Sequence, residues 1–208
     1  MATTENSEAA GNRRRYRKRE RARQEAETRR RITEAVMELH RTVGPAGTTI
    51  REVADRAGVS RMTVYNHFPT DADLIEACST HWASLNPLPD PDRWAATPDP
   101  GERLEDALDE LYAWYGATED MMGKVLRDAP IVPPLGELME DRWWRRVARM
   151  VDTLAAGRRL RGSRRERVRA ALRLALDFHT WRTLTRAGLD RPAAVRLGAG
   201  IVEVAASR

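Results

Sequence analysis

Cysteine is almost missing from this 208-residue chain; Cys78 stands alone. One cysteine cannot close an internal disulfide or build a cysteine-rich zinc site, which argues against a secreted, cross-linked scaffold. Lysine is nearly as scarce. Lys18 and Lys124 are the two lysines among 36 basic residues, and the rest are arginines. No apolar run approaches the roughly 18 residues of a membrane span, and the N-terminus lacks the charged-then-apolar pattern of a signal peptide. A cytoplasmic location is therefore expected. The four histidines (His40, His67, His81, His179) are scattered without H-E-x-x-H spacing, and neither a P-loop nor a G-x-G-x-x-G run is present. Asp177 and His179 lie two apart, so on one helix they do not face each other. No catalytic residue, metal site or cofactor is expected, and a cofactor-free helical enzyme is the remote alternative.

What the chain does hold is charge, unevenly placed. The net charge of +5 resolves into +6 over residues 1–31, −3 over 32–80, −10 over 81–141, +11 over 142–191 and +1 over the remainder. The first dozen residues are small and polar, which reads as a disordered tail. A basic arm follows, with Arg13, Arg14, Arg15, Arg17, Lys18 and Arg19 closely spaced. Such an arm suits a polyanion, and arginine's planar fork suits phosphate in particular. In the +11 block the arginines alternate with apolar residues at helical spacing. That block reads as a solvated helix face balancing the acidic segment.

Helical periodicity dominates and no alternating strand run is found. Ile32, Ala35, Val36 and Leu39 form a core-facing stripe that ends at Gly44-Pro45. Thr49 to Glu52 fits a capping box that opens a short helix ended by Gly58. Ser60 caps a second short helix, with Val64 and Phe68 inward and Pro69 as its stop. A third element covers about 71–85. Pro87, Pro89, Pro91, Pro98 and Pro100 then mark a linker. Beyond it, Asp99-Pro100 opens a helix bearing Leu104, Leu108, Leu111 and Tyr115. A short further helix carries Met121, Met122, Val125 and Leu126. A long one runs from Leu138 to about Ala156. Ser163 to Glu166 forms a second capping box ahead of a helix to Ala187, and a last helix follows Asp190. The expected fold is all-α with about nine helices: tail and arm over 1–23, a DNA-binding domain over 24–70, a connecting helix over 71–85 and a regulatory domain over 86–208.

Residues 49–68 are the most informative. Two short helices joined through Ala57-Gly58-Val59-Ser60 have the spacing of a helix-turn-helix, in which Gly58 supplies the left-handed turn and Ala54 permits a close crossing. The second helix offers Arg61, Met62, Thr63, Tyr65, Asn66 and His67 outward, with no acid among them. Such a surface suits phosphates and base edges.

With Thr48 to Ala54, Ala57 to Ser60 and Thr63 to Pro69 in view, the chain resembles the TetR family of transcriptional regulators. The resemblance rests on motifs within about residues 28–80, and beyond them on length and helix count. It implies a homodimer that binds a pseudo-palindromic double-stranded DNA operator, usually as a repressor, and leaves it when a small molecule binds. An activator, or a regulator controlled by a protein partner, is the alternative on the same fold. Carried over by position, Thr49 caps the first motif helix and contacts phosphate. Arg51 reaches a base or phosphate. Arg61, Met62 and Thr63 read bases, and Tyr65, Asn66 and His67 hold phosphates or bases. Where the family often has a phosphate-gripping lysine, this chain has Thr70-Asp71-Ala72-Asp73, and the basic arm is expected to compensate.

The aromatic residues past the motif suggest a small-molecule pocket lined by Tyr112, Tyr115, Met122, Trp143, Phe178, His179 and Trp181, although each alone also suits plain core. Adjacent Trp143 and Trp144 point about 100° apart on a helix, so at most one is deep core. Along 168–184, two apolar rows need partners on two sides, and small residues on the final helix (Ala194, Gly198, Ala205) permit close approach. The last two helices are thus the expected dimer interface.

Overall fold

The computed structural model describes the backbone from Ala2 to Ser207 and side chains from Arg15 to Ser207. Among the described residues every regular element is helical. The chain divides into two compact units, 1–82 and 83–208.

In the first unit α1 runs Ala2–Thr42, α2 Ile50–Ala57, α3 Arg61–His67 and α4 Asp71–Leu85. The unit boundary falls inside α4. The length of α1 differs from the expectation of a disordered tail, because helix continues from Ala2 through the basic stretch, which extends the first helix. Arginine, glutamate, alanine and glutamine favour helix, and no proline interrupts residues 2–42. Ion pairs one turn apart add support: Arg23 to Glu20 at 2.8 Å, and Arg30 to Glu27 at 2.6 Å and to Glu34 at 2.5 Å. One core holds the unit together, with Ile32, Val36 and Leu39 of α1 against Val53, Val64, Phe68 and Leu74.

In the second unit a single-turn α5, Pro91–Trp94, precedes α6, Pro100–Asp128. The sequence pattern predicts two helices here, and the structure has one of 29 residues. A continuous buried row from Leu104 through Leu111 and Tyr115 to Met122 explains its persistence. Next come α7, Pro133–Met139, a π-helical turn over Glu140–Trp144, and α8, Arg145–Ala155, which together form one unbroken rod. Arg103 is buried and donates to four carbonyls: Thr97 and Pro98 in the linker, and Thr153 and Ala156 at the end of α8.

The expected helix over 163–187 is two helices, α9, Gly162–Ala175, and α10, Phe178–Arg186. The break has a physical cause. Asp177 Oδ1 accepts the backbone N–H groups of His179 (2.8 Å) and Thr180 (3.0 Å), starting α10 afresh. The carbonyls left at the end of α9 are satisfied by tyrosines of α6. Tyr112 donates to Ala175 at 2.8 Å, and Tyr115 to Leu176 at 2.6 Å. The apolar rows drawn straight through 168–184 therefore do not exist as rows. Nor does the Ser163–Glu166 box form. The helix starts one residue earlier without a side-chain cap, and Ser163 Oγ accepts from Arg167 instead.

The last helix, α11, Arg191–Ser207, packs on α6 and α9. Two of its small residues, Ala194 and Gly198, face inward and serve packing within the chain instead of the expected intersubunit contact, while Ala205 is half-buried. Ala194 and Val202 are fully buried, and a Cβ on Gly198 would stand 3.0 Å from the Tyr112 hydroxyl. The opposite side of the α9–α11 pair stays open to solvent, with Leu174, Leu197 and Val204 all exposed.

Candidate nucleic-acid interface

Helices of eight and seven residues are too short to persist alone, so their ends are fixed by side chains. Thr49 and Glu52 form the full capping box: Glu52 N donates to Thr49 Oγ1 at 3.3 Å and Thr49 N donates to Glu52 Oε2 at 3.0 Å. The Thr49 hydroxyl proton also points at Glu52, 2.7 Å away, so the cap role is plain while a phosphate contact would require that hydroxyl to turn. That hydrogen bonding holds the Glu52 carboxyl below the usual carboxylate range. Gly58 ends α2 in the left-handed region, at φ 65° and ψ 41°. Ser60 then caps α3 by accepting from Thr63 N at 3.0 Å, and the two hydroxyls lie 2.8 Å apart.

Fixed in this way, α3 divides cleanly. Val64 is fully buried, as is Phe68 just past the helix. Arg61, Met62, Tyr65 and Asn66 are exposed, and Thr63 and His67 are half-buried. Met62 is 67% and Tyr65 48% exposed, an unusual amount of free apolar surface for so short a helix. Arg51 projects from α2, 81% exposed, with Asp55 3.8 Å away as a loose partner. One face thus carries a guanidinium, a thioether, a phenol and an amide, groups able to meet bases and phosphates.

Along α1, Arg15, Arg17, Lys18 and Arg19 are exposed, and no ion pair ties them to another described residue. Arg13 and Arg14, named with them in the arm, lie outside the residues whose side chains are described. Arg29 behaves differently. Its Nη1 donates to the His67 carbonyl at 2.6 Å, and its guanidinium lies 4.0 Å from the centre of the Phe68 ring. Nothing in the charge pattern separates Arg29 from the other arginines of residues 1–31. Its position three residues before Ile32, on the core-facing stripe, was the available signal. After Pro69, Thr70 and Asp73 form a second reciprocal cap at 3.0 and 3.1 Å, so Asp73 serves α4 while Asp71 is exposed.

In the second unit the aromatic residues separate. Tyr112, Met122 and Trp181 are core. Tyr115, Trp143 and Phe178 are buried too, but one side of each lines a cavity of about 350 Å³. His179 is exposed and lies apart from that cavity, on a charged groove between α6 and α10 with Lys124, Arg182 and Arg186. Trp144, the neighbour that cannot share the inward face of Trp143, lines the cavity and is 43% exposed. Burial pushes Tyr112 up to about 12 and Tyr115 well above the ordinary phenol value, with the Asp177 charge acting in the same direction. Both therefore remain hydrogen-bond donors at neutral pH.

Residues 32–78 match the family model described as bacterial regulatory proteins, tetR family. No curated protein matches the chain. Among solved structures, the chain is similar to a Clostridium perfringens protein assigned as a fatty acid metabolism regulator, at 14% identity and TM-score 0.62, covering 83% of this chain and 97% of that one. A Mesorhizobium loti protein assigned to the TetR family shares 20% identity at TM-score 0.60, over 88% and 96% of the two chains. NalD of Pseudomonas aeruginosa, the secondary repressor of the MexAB-OprM multidrug efflux pump, shares 22% identity at TM-score 0.55, over 86% and 93%. At these identities the likeness is one of fold. Residues 32–78 thus match the model of the tetR family of bacterial regulatory proteins, within a chain whose fold is that of solved TetR-family regulators.

Proposed function

We propose that the protein is a homodimeric, sequence-specific DNA-binding transcriptional regulator, a repressor that leaves its operator when a small hydrophobic or aromatic molecule binds the second unit. The observation that carries this reading is the outward face of α3. Arg61, Met62, Tyr65 and Asn66 are exposed together on a capped helix whose inner side is anchored by Val64 and Phe68. Arg61, Thr63 and Asn66 are suited to base edges, and Tyr65 to phosphate. The exposed cations of α1 supply sequence-independent attraction. Dimerisation follows from Leu174, Leu197 and Val204, which leave an apolar face on α9 and α11 for a second copy to cover.

Footprinting on DNA upstream of the protein's own and neighbouring genes tests the reading. Specific protection over two half-sites is expected, about 34–36 Å apart for successive major grooves. Arg61→Ala with Asn66→Ala is expected to abolish protection while leaving the fold intact. Binding of equal strength to any duplex would overturn sequence specificity. Retained protection in the presence of effectors would overturn release.

A further inference from the structure

We infer that the cavity beside Trp143 selects a flat aromatic monocarboxylate, held by stacking on its indole and phenyl walls and by an ion pair to Arg173. The inference rests on the proposed reading of this unit as the effector-binding part and names the chemistry of its ligand.

Three observations converge. The walls are rigid and aromatic: Trp143 stacks on Trp114 at 5.9 Å and 20°, and Tyr115 meets Phe178 edge-on at 5.3 Å and 83°. Trp144, half in solvent, completes the aromatic lining. A planar ring system fits such surfaces. At about 350 Å³ the space lies near the lower end for small-molecule sites, about 300–1,000 Å³, enough for one or two fused rings.

The charges supply the second and third points. Arg173 lines the cavity, is exposed, and makes no hydrogen bond or ion pair with any described residue. A free guanidinium beside an aromatic slot is a fork for a carboxylate, able to take both oxygens at once. Asp177 also lines the cavity, but its Oδ1 is engaged by His179 N and Thr180 N at the positive start of α10. Asp177 thus commits that oxygen to the start of α10. It does set a limit on charge, because a second carboxylate on the ligand would face it.

Calorimetric titration of the full chain with 2-naphthoate, 2-naphthamide, 2-naphthyltrimethylammonium and naphthalene-2,6-dicarboxylate tests the inference. Naphthoate is expected to bind at least ten-fold more tightly than the other three. Arg173→Gln should bring naphthoate down to the amide's affinity without changing the amide, and Arg173→Lys should restore part of the difference. Trp144→Ala should weaken acid and amide alike. Equal binding of the amide or the cation, an equal effect of Arg173→Gln on both, or no binding of any probe would overturn it. Footprinting the same preparation separates the two readings. Specific DNA protection without naphthoate binding sinks the ligand class alone, whereas naphthoate binding without DNA protection sinks the regulator reading and leaves the site standing.

Discussion

Arg29 of α1 donates from Nη1 to the carbonyl of His67 at the end of α3, at 2.6 Å. The same guanidinium covers Phe68. A cation at a helix C-terminus is favourable both as a hydrogen bond and against the helix dipole. One arginine thereby ties the long first helix to the far end of the candidate recognition helix. Arg29→Met is expected to lower stability by about 1 kcal/mol, the worth of one such hydrogen bond. It should weaken specific more than non-specific DNA binding. Urea unfolding and a competition assay with random duplex measure the two effects. An equal loss on both duplexes would mean that Arg29 acts as a phosphate contact.

Deleting residues 1–23 removes the exposed cations Arg15, Arg17, Lys18 and Arg19, which form no ion pair with another described residue. Each cation that neutralises a phosphate adds about 0.9 to the slope of log affinity against log salt. Truncation should therefore weaken binding and flatten that slope. A slope unchanged from the full chain would sink a DNA role for the arm.

Gly198 lies where a methyl group would press on Tyr112 Oη at 3.0 Å and Leu108 Cδ1 at 3.2 Å. Tyr112 cannot swing aside, because it is buried and bonded to the Ala175 carbonyl. Gly198→Ala should destabilise by about 1–2 kcal/mol, overpacking outweighing the better helix propensity of alanine. Tyr112→Phe with Gly198→Ala should cost less than the sum of the two single changes, as a thermal-unfolding double-mutant cycle would show.

Cys78 is buried, with Sγ 3.6 Å from His40 Nδ1. Burial pushes its thiol up to about 12. The folded chain keeps the thiol protonated where the unfolded chain, near its ordinary value of 9, releases the proton. This contribution to stability is therefore complete below about pH 9 and is lost as pH rises toward 12. Unfolding free energies of wild type and Cys78→Ala should converge over that interval. Iodoacetamide at pH 8 should label the thiol only after denaturation.

The exposed apolar face of α9 and α11 predicts an assembly defect. Leu197→Glu together with Val204→Arg should give monomers in analytical ultracentrifugation and a large loss of operator affinity, with helix content unchanged. A dimer that survives both changes would place the interface elsewhere.

The helix-turn-helix was legible because its signals are local. Thr49 and Glu52, Gly58 and Ser60 each act within four residues, and a single chain displays such spacing directly. The second unit was less legible because its decisions are made at long range. Nothing near Leu176 announces that Tyr112 and Tyr115, more than sixty positions away, satisfy the carbonyls left by a broken helix. Asp177 was visible, but only as a pairing with His179 that helix geometry excludes, and not as a cap. The small residues of α11 were read as an intersubunit surface, since sequence cannot say which neighbour exploits a close approach. Arg29 was lost among similar arginines because charge composition does not show which of them turns inward.

The split of α3 into an anchored side and a free side has an evolutionary consequence. Its anchorage lies in Val64, Phe68 and the Ser60 cap, whereas Met62, Tyr65 and Asn66 do little to hold the unit together. Substitutions at those three positions can therefore accumulate at small cost in stability. A lineage carrying this scaffold is free to vary that outward face, and a designer to redirect it, while the fold beneath is left alone.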